Sequence, residues 1–181
     1  MKTETVRYSS CFRFFLLLAT IAICFASAFA ASDDHPCAAD PESRQLDYWL
    51  GTWSVSAPGS AKNAVSSVTL ALDQCLVVES WDGGRGHVGE NLMAYSPEEK
   101  SWYGLFADNK GRVHIFTQGK IASGVAEFQG PSHGPKGEII LNKVTVVRID
   151  ANKVEQTWQK STDNGVTWTT EFRGEYTRTN P

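Results

Sequence analysis

The sequence has no excess of charge of either sign and no strong compositional bias. Its 181 residues include 17 Lys and Arg against 20 Asp and Glu, and 41% of them are hydrophobic. This composition excludes collagen-like, coiled-coil and disordered chains. It also argues against a function that neutralises phosphates, because basic residues are in the minority. We therefore expect no nucleic-acid partner.

Long apolar runs are scarce, and the clearest one stands near the start of the chain. Residues 14–30 carry no charge and end in small residues, and Lys2, Arg7 and Arg13 precede them. A basic start, an apolar middle and a small-residue end predict a signal peptide over residues 1–30. An uncleaved anchor is the alternative, since about 20 apolar residues span a bilayer. We expect a secreted or periplasmic protein with no stable membrane insertion after cleavage.

Cysteine is also scarce, with four residues in the chain. Cys11 and Cys24 leave with the leader, so Cys37 and Cys75 remain as an even pair in an oxidising compartment. This predicts a disulfide that closes a loop of about 38 residues and stabilises the fold by about 4 kcal/mol on the chain-entropy model. Two buried free thiols are the alternative.

Side chains spaced as metal ligands are missing from the sequence. The four histidines are scattered, and no Cys-x-x-Cys motif occurs. We therefore predict no metal site and no cofactor. The histidines are His35, His87, His114 and His133.

Helical signals are confined to one short segment. Residues 31–39 are small, polar and charged, which predicts a flexible arm. Asp40 and Pro41 predict a helix start, because Asp caps free amides and Pro suits the first turn. Gly51 predicts its end. The apolar face of this helix consists of Leu46, Trp49 and Leu50.

The rest of the chain alternates between apolar and polar residues and is interrupted by turn residues every 8 to 12 positions. This pattern predicts a single all-β domain over residues 40–181. Ten antiparallel strands joined by hairpins close most readily into an up-and-down barrel, which removes exposed edges. The predicted strands are 52–57, 64–73, 75–81, 89–95, 101–107, 112–117, 121–129, 138–149, 154–160 and 167–177.

Three short motifs match functional patterns without the structural context that those patterns need. Residues 130–134 match Gly-x-Ser-x-Gly, but no helix pattern follows the serine. Residues 84–89 match a dinucleotide fingerprint, but a strand pattern follows the glycines. Residues 161–168 fit the Asp-box pattern, whose physical content is a stable hairpin turn. We expect ordinary turns and loops at all three.

Aromatic residues are abundant by contrast, with six tryptophans. Most are expected in the core, and some are candidates to line a cup for a small molecule. Glu79 stands between Val77 and Trp81 on one strand face, and Gln156 precedes Trp158 in the same way. Polar side chains among inward apolar ones need a partner or a ligand. For both residues we leave open an internal hydrogen bond and a pocket role.

Leu50-Gly51-Thr52-Trp53, placed after a short helix, resembles the Gly-x-Trp signature of the calycin superfamily, the lipocalin-like barrels. Residues 46–53, 75–81 and 156–168 more closely resemble an uncharacterised family of exported bacterial proteins, domain of unknown function 1579. The resemblance implies a calycin-like barrel with the short helix at its base and an apolar-lined cup. It also implies a late Arg on Trp53, for which Arg178 fits best and Arg173, on the opposite face, is second.

Three functional hypotheses follow. In the leading one, the barrel binds a small apolar or amphipathic molecule, with Glu79 and Gln156 as polar anchors. The second is an enzyme in the same cup, with Glu79 as acid or base and His114 opposite. The third is an interaction module, such as a homodimer, with a sealed interior and an apolar outer patch. The predicted cup lining consists of Trp81, Trp102, Phe106, Trp158 and Phe172.

Overall fold

The structure is a computed structural model that describes residues 36–61 and 63–179. The predicted leader and residues 31–35 of the predicted arm lie outside the described residues. The described part of the chain forms ten antiparallel strands in a closed barrel, which confirms the predicted fold class. The strands are β1 (Gly51–Ser56), β2 (Ala64–Ala71), β3 (Leu76–Asp82), β4 (Val88–Ser96), β5 (Ser101–Asp108), β6 (Val113–Ala122), β7 (Val125–His133), β8 (Ile139–Arg148), β9 (Lys153–Ser161) and β10 (Thr169–Arg178).

Each strand pairs with its neighbours in sequence, and β1 pairs with β10 to close the barrel. Successive turns therefore lie at alternating ends. We call the end that holds the start of β1 and the end of β10 the base. The opposite end, which holds the β3–β4, β5–β6, β7–β8 and β9–β10 turns, is the upper end.

The predicted N-terminal helix is shorter and tighter than expected. Residues 41–50 form successive turns in which amides bond to carbonyls three residues earlier, and only Asp47–Trp49 is a 3₁₀ helix. Asp40 accepts the Ser43 amide at 3.0 Å, as a capping residue does. Leu46 and Trp49 are fully buried, so their apolar contacts hold the segment against the base.

The chain before this segment is attached to the barrel by a disulfide. Pro36–Ala39 forms a four-residue helix, α1, and Cys37 is bonded to Cys75 in the β2–β3 turn. The predicted pairing is confirmed. A disulfide of this kind indicates an oxidising environment. Among residues 36–61 and 63–179, no helix has the length and apolar character needed to cross a bilayer.

Arg178 and Trp53 close the base. The Arg178 guanidinium lies 4.1 Å from the centre of the Trp53 ring, as the calycin resemblance implies, and its Nη1 donates to the Leu50 carbonyl at 2.6 Å. Gly51 permits this contact, because a Cβ there would lie 2.3 Å from Nη1 and its φ is +122°. Arg173 points outward and pairs with Glu155. The glycine of the Gly-x-Trp pattern is thus needed to leave space for the Arg178 guanidinium.

Two irregularities change which residues face inward. A register shift between Thr170 and Phe172 on β10 interrupts the alternation, so Trp168 does not share the interior face of Phe172. Trp168 instead lies beneath the Lys143 ammonium, 4.1 Å from the ring centre. A second shift lies between β5 and β6, opposite Trp102 and Gly104. At both places, counting alternate residues along the sequence no longer predicts which side chains face the interior.

Prediction for the base. Arg178→Gln should lower the free energy of unfolding by about 3 kcal/mol, because it removes a partly buried cation–π contact and charged hydrogen bonds to backbone carbonyls. Arg173→Gln is the matched control and should cost no more than about 0.5 kcal/mol, since its ion pair is exposed. Urea unfolding monitored by tryptophan fluorescence measures both. Equal effects of the two substitutions would contradict the assigned role of Arg178.

Candidate functional site

Five inward aromatic side chains lie at the upper end of the barrel. We call Trp81, Phe106, His114, Trp158 and Phe172 the rim cluster. Phe106 is buried and the other four are partly exposed. The Trp158 ring centre lies 5.2 Å from that of Phe106 and 4.8 Å from that of His114. The Trp81 and Phe172 rings meet edge to face at 6.4 Å. The structure thus brings five predicted site residues to one end of the barrel.

The Trp158 indole is held by a polar relay. Its Nε1 donates to the Asn142 Oδ1 at 3.3 Å, and the Asn142 Nδ2 donates to the Ser132 Oγ at 2.8 Å. Ser132 is the serine of the Gly-x-Ser-x-Gly match. It lies on β7 and serves as an acceptor for Asn142, as expected of an ordinary structural residue. The relay fixes the orientation of one of the two indole rings in the rim cluster.

Glu79 lies deeper in the barrel, in a hydrogen-bonded network. Its Oε1 lies 2.7 Å from the Ser66 Oγ and 3.0 Å from the Tyr176 hydroxyl, and its Oε2 accepts the Asn91 Nδ2 at 2.6 Å. The same Tyr176 hydroxyl is 3.1 Å from the Gln156 Oε1. Both polar side chains that were singled out from the sequence therefore have internal partners.

The network favours a protonated Glu79. Burial raises the pKa of Glu79, against the opposing effect of hydrogen bonds from Ser66, Asn91 and Tyr176. The Tyr176 hydroxyl has one hydrogen for two neighbouring oxygens. A protonated Glu79 supplies the second, because it donates to Tyr176 while Tyr176 donates to Gln156. Neutral hydrogen bonds then satisfy the whole network without a buried charge.

Little free space remains in the interior. A cavity of about 10 Å³ in the barrel is lined by Trp49, Asn91, Gln156 and mostly apolar residues. A space of this size holds a single water molecule at most. The lower part of the predicted cup is therefore filled by side chains.

Trp102 lies at the base, away from the rim cluster. It is the second residue of β5, four residues below Phe106, or about 13 Å at the usual rise of a strand. Its Nε1 donates to the Gln45 Oε1 at 3.0 Å, beside the 3₁₀ helix. The alternation along β5 correctly predicted that Trp102 faces the interior. Because β5 starts at the base, however, Trp102 lies near the base and is not part of the aromatic lining at the upper end.

His114 and Glu79 both face the interior without meeting. The oxygens of Glu79 are engaged in the network below, whereas the His114 imidazole contacts Phe106 and Trp158. Burial and the nearby charge of Arg112 lower the pKa of His114. Its Nδ1 is inaccessible to solvent and has no hydrogen-bond partner among the described residues. Among the described residues, Glu79 and His114 are therefore not hydrogen-bonded to each other.

The regular pairing of β6 with β7 ends beside His114, which leaves an opening in the barrel wall. Sheet pairing between β6 and β7 covers 118–122 and 125–129, and no pairing joins 113–117 to 130–133 in the described chain. The strands touch at Gly130, where a Cβ would lie 1.9 Å from the Ile115 carbonyl oxygen, and Pro131 then lacks an amide hydrogen. We call this opening the seam.

A groove of about 410 Å³ lies in the seam, and this volume is typical of small-molecule sites. We call it the seam groove. His114 lines this groove and also contacts Trp158 in the rim cluster. His114 is therefore the residue that the seam groove and the rim cluster share. The seven lining residues are Arg112, Val113, His114, Ile115, Pro131, Ser132 and His133.

One buried carboxylate orders the neighbouring turns. The Asp108 side chain is inaccessible to solvent, and its Oδ2 lies 3.0 Å from the His87 Nε2 and 2.6 Å from the Arg112 Nε. Burial alone would raise the pKa of Asp108, but hydrogen bonds from His87, Arg112 and backbone amides outweigh it and lower that pKa. Asp108 thus joins the β3–β4 turn, which contains the dinucleotide-like motif, to the β5–β6 turn.

The Asp-box match is a closed turn, as its physical content predicts. Asp163 accepts the Thr167 amide at 2.8 Å and the Thr167 hydroxyl at 2.6 Å, and these bonds lower its pKa to about 2. The Ser161 Oγ accepts the Gly165 amide at 2.8 Å. Both carboxylate oxygens of Asp163 and the hydroxyl of Ser161 therefore have internal partners.

Several residues of the site were missed by sequence reasoning. Ser66, Asn91 and Tyr176 surround Glu79, and Asn142 orients Trp158. Each is polar at an inward position of a strand, and this signal was used only for Glu79 and Gln156. The seam left no such signal in the sequence, because Gly130 and Pro131 were expected in a loop after the predicted strand 121–129 and instead lie on β7.

Within the described ranges, no group of three or more His, Cys, Asp or Glu side chains is placed to hold a metal ion. Searches of the chain against models of known protein families and against curated proteins returned no match. The geometry of the upper end is therefore the basis for assigning a function to this chain.

Prediction for the network. Glu79→Gln should stabilise the protein increasingly as pH rises. The unfolded chain ionises Glu79 near the ordinary 4.5, whereas the folded protein keeps it protonated to higher pH. Stability of the wild type is therefore lost as pH rises above 4.5, and glutamine removes this loss. We expect the stability of Glu79→Gln relative to the wild type to rise continuously as the pH is raised above 4.5.

Thermal and urea unfolding across this pH range measure the gain. Glu98→Gln is the matched control, because Glu98 is exposed in the turn between β4 and β5 and is not among the groups that shift the pKa of Glu79. A difference between wild type and Glu79→Gln that does not change with pH would contradict a protonated Glu79.

Proposed function

We propose that this chain is an exported, lipocalin-like protein of the calycin superfamily that binds a small apolar or amphipathic molecule at the upper end of its barrel. The binding surface comprises the rim cluster and the seam groove. Within this proposal, Glu79 and Gln156 form the floor of the site and do not anchor the ligand. Proteins of the uncharacterised exported family that the sequence resembles are expected to share the barrel.

The observation that carries the proposal is His114. It has a buried, unpartnered ring nitrogen at the junction of an aromatic cluster and a groove of ligand size. A buried polar atom without a partner costs free energy, which a ligand or an ordered water recovers. Half-exposed aromatic rings beside it offer apolar contact. These are the elements of a small-molecule site: an apolar lining with few polar groups.

Export is supported by two independent features. The first thirty residues have the pattern of a signal peptide. The Cys37–Cys75 bond requires an oxidising compartment to form and persist. We propose a secreted or periplasmic location.

The binding proposal is tested with N-phenyl-1-naphthylamine, an uncharged apolar probe whose fluorescence rises on binding. Trp158→Ala should weaken binding by about tenfold, because one aromatic contact of this kind contributes about 1.4 kcal/mol. Trp168→Ala is the matched control: its indole donates to the Gly165 carbonyl in the β9–β10 turn, and binding should not change. Phe172→Leu provides a milder second variant of the rim cluster, and thermal unfolding verifies that each variant folds.

Equal binding by the Trp158 and Trp168 variants would overturn the proposal. Native mass spectrometry of protein purified from its own source, followed by solvent extraction, provides a second readout. We expect a bound small molecule, and protein that is consistently ligand-free would count against the site.

A second candidate function, self-association, is favoured by the outer surface. Val78, Leu92, Leu105 and Ile115 lie side by side across β3, β4, β5 and β6. Leu92 is 37% exposed and Ile115 54%. A contiguous apolar row on the outside of a barrel suits an interface between two copies of the chain.

Sedimentation velocity at increasing protein concentration tests this candidate. If the outer row forms a dimer, Leu92→Arg should shift the protein toward the monomer. Val125→Arg is the control, because Val125 has similar exposure, 40%, at the base end of β7. A wild type that sediments as a monomer at every concentration would exclude a stable homodimer.

A further inference from the structure

The seam leaves the upper part of β6 without a paired neighbour on one side. The Asp108 amide bonds to the Arg112 carbonyl at 3.1 Å, which makes these two residues a hydrogen-bonded pair of β5 and β6. Hydrogen-bonded and non-hydrogen-bonded pairs alternate, so the N–H and C=O groups of Val113 and Ile115 point away from β5 and toward the seam. Sheet pairing with β7 does not extend to these residues in the described chain. β6 therefore presents donors and acceptors in alternation, as the edge of an open sheet does.

The facing edge of β7 offers fewer groups. The Gly134 amide bonds to the Glu138 carbonyl at 2.8 Å, and by the same alternation the peptide groups of Pro131 and His133 face the seam. Proline has no amide hydrogen, so this edge supplies one donor and two acceptors. Proline is among the residues that protect a strand edge from pairing with another chain. The β6 edge carries β-branched residues instead and lacks this protection.

The seam groove opens onto both faces of the barrel wall. Val113 and Ile115 are 56% and 54% exposed on the outer face, whereas His114 between them contacts Trp158 on the inner face. A strand presents alternate side chains to opposite faces, so an extended chain in the seam reaches both. The groove has a volume of about 410 Å³, and Val113 and Ile115 are about 7 Å apart at the usual rise of a strand. These dimensions suit a segment of about three residues.

The shape of the seam favours one extended segment over a second barrel. At its lower end the seam is closed, because Gly130 lies against the Ile115 carbonyl. On either side it is bounded by β6 and β7 of the same barrel. The described strands of a second copy are themselves joined in a closed barrel, which offers no separate strand to enter the seam. An extended segment of another polypeptide has unpaired peptide groups of its own.

We infer that the seam is a strand-addition site, at which an extended peptide segment of a partner protein pairs with the β6 edge at Val113 and Ile115. β-branched or aromatic side chains at alternate positions of the segment contact these two residues on the outer face, since such cross-strand pairs stabilise sheets. The side chain between them lies beside His114. The main chain supplies affinity and the alternate side chains supply specificity. This interaction goes beyond the proposed binding of a small molecule and does not depend on it.

The probe is the uncharged pentapeptide acetyl-Thr-Val-Thr-Val-Thr-amide, whose two valines are spaced to lie opposite Val113 and Ile115. Two further probes replace both valines by isoleucine or by tyrosine. The matched control carries N-methyl groups on both valine amides, which retains the side chains and removes the donors that face β6. NMR titration of the full mature chain at pH 7 should show binding of the probe and about tenfold weaker binding of the control, because hydrogen bonds of about 1 kcal/mol each are lost.

Equal binding of the valine peptide and its N-methylated control would overturn the inference, and so would failure of all three probes to bind. The fluorescence of N-phenyl-1-naphthylamine reports on the small-molecule site separately. The proposed binding function therefore stands or falls by its own measurement.

Amide hydrogen exchange locates the bound segment. In the free protein the Val113 amide should exchange faster than the His114 amide, which faces β5. Saturation with the probe should slow exchange at Val113 by about tenfold. Equal protection of the two amides in the free protein, or protection by the probe only at residues away from the seam, would overturn the placement.

A proline substitution provides the last arm. Val113→Pro removes one donor of the β6 edge without breaking a bond to β5, and it should weaken the probe about fivefold. Ile139→Pro is the matched control, because Ile139 is also the first residue of its strand, is 62% exposed and precedes the point where β8 begins to pair with β9. Equal weakening by both variants would overturn the role of the β6 edge. Unfolding curves verify the fold, and the N-methylated peptide tests the wild type independently of either variant.

Discussion

The contact of Arg178 with Trp53 is the constraint on which the rest of the barrel depends. It joins the first strand to the last, and its guanidinium also binds the carbonyls of Leu50 and Tyr48 in the segment that covers the base. Trp53 is fully buried, and its own Nε1 donates to the Trp49 carbonyl at 2.9 Å. One cation thus holds strand closure and base closure together. Without this closure the sheet would have two free edges and no interior to protect.

Closure at the base determines where function can lie. Large side chains fill the lower barrel, and Glu79, Tyr176 and Gln156 satisfy one another above them. A solid lower half leaves the upper end as the place for a ligand. There the departure of β7 from β6 after Gly130 ends the regular pairing of the two strands and opens the wall. The functional proposal depends in part on this local failure of sheet pairing.

Much of the fold could be predicted because its causes are local. Alternating apolar positions and turn residues predicted ten strands in the correct order, and the leader pattern left Cys37 and Cys75 as the pair that forms the disulfide. One boundary was wrong, because the turn at Ser123 and Gly124 between β6 and β7 falls inside the predicted strand 121–129. The errors have physical causes too. The expected helix became a series of tight turns, because ten residues between a disulfide and a strand are held by burial of Leu46 and Trp49 and do not need regular helical bonds. The bulge near Thr170 reversed the parity of Trp168.

By itself, the sequence determined the number and order of the strands, the inward face of most of them and the residues of the base contact, since periodicity and short motifs depend on neighbours along the chain. Only the tertiary structure decided the layer to which each inward residue belongs. Trp102 and Phe106 share a face but lie at opposite ends, and Glu79 is enclosed by partners from β2, β4 and β10. The seam, too, exists only where two distant strands approach and then diverge. Such features depend on contacts between residues far apart in sequence, and periodicity carries no information about them.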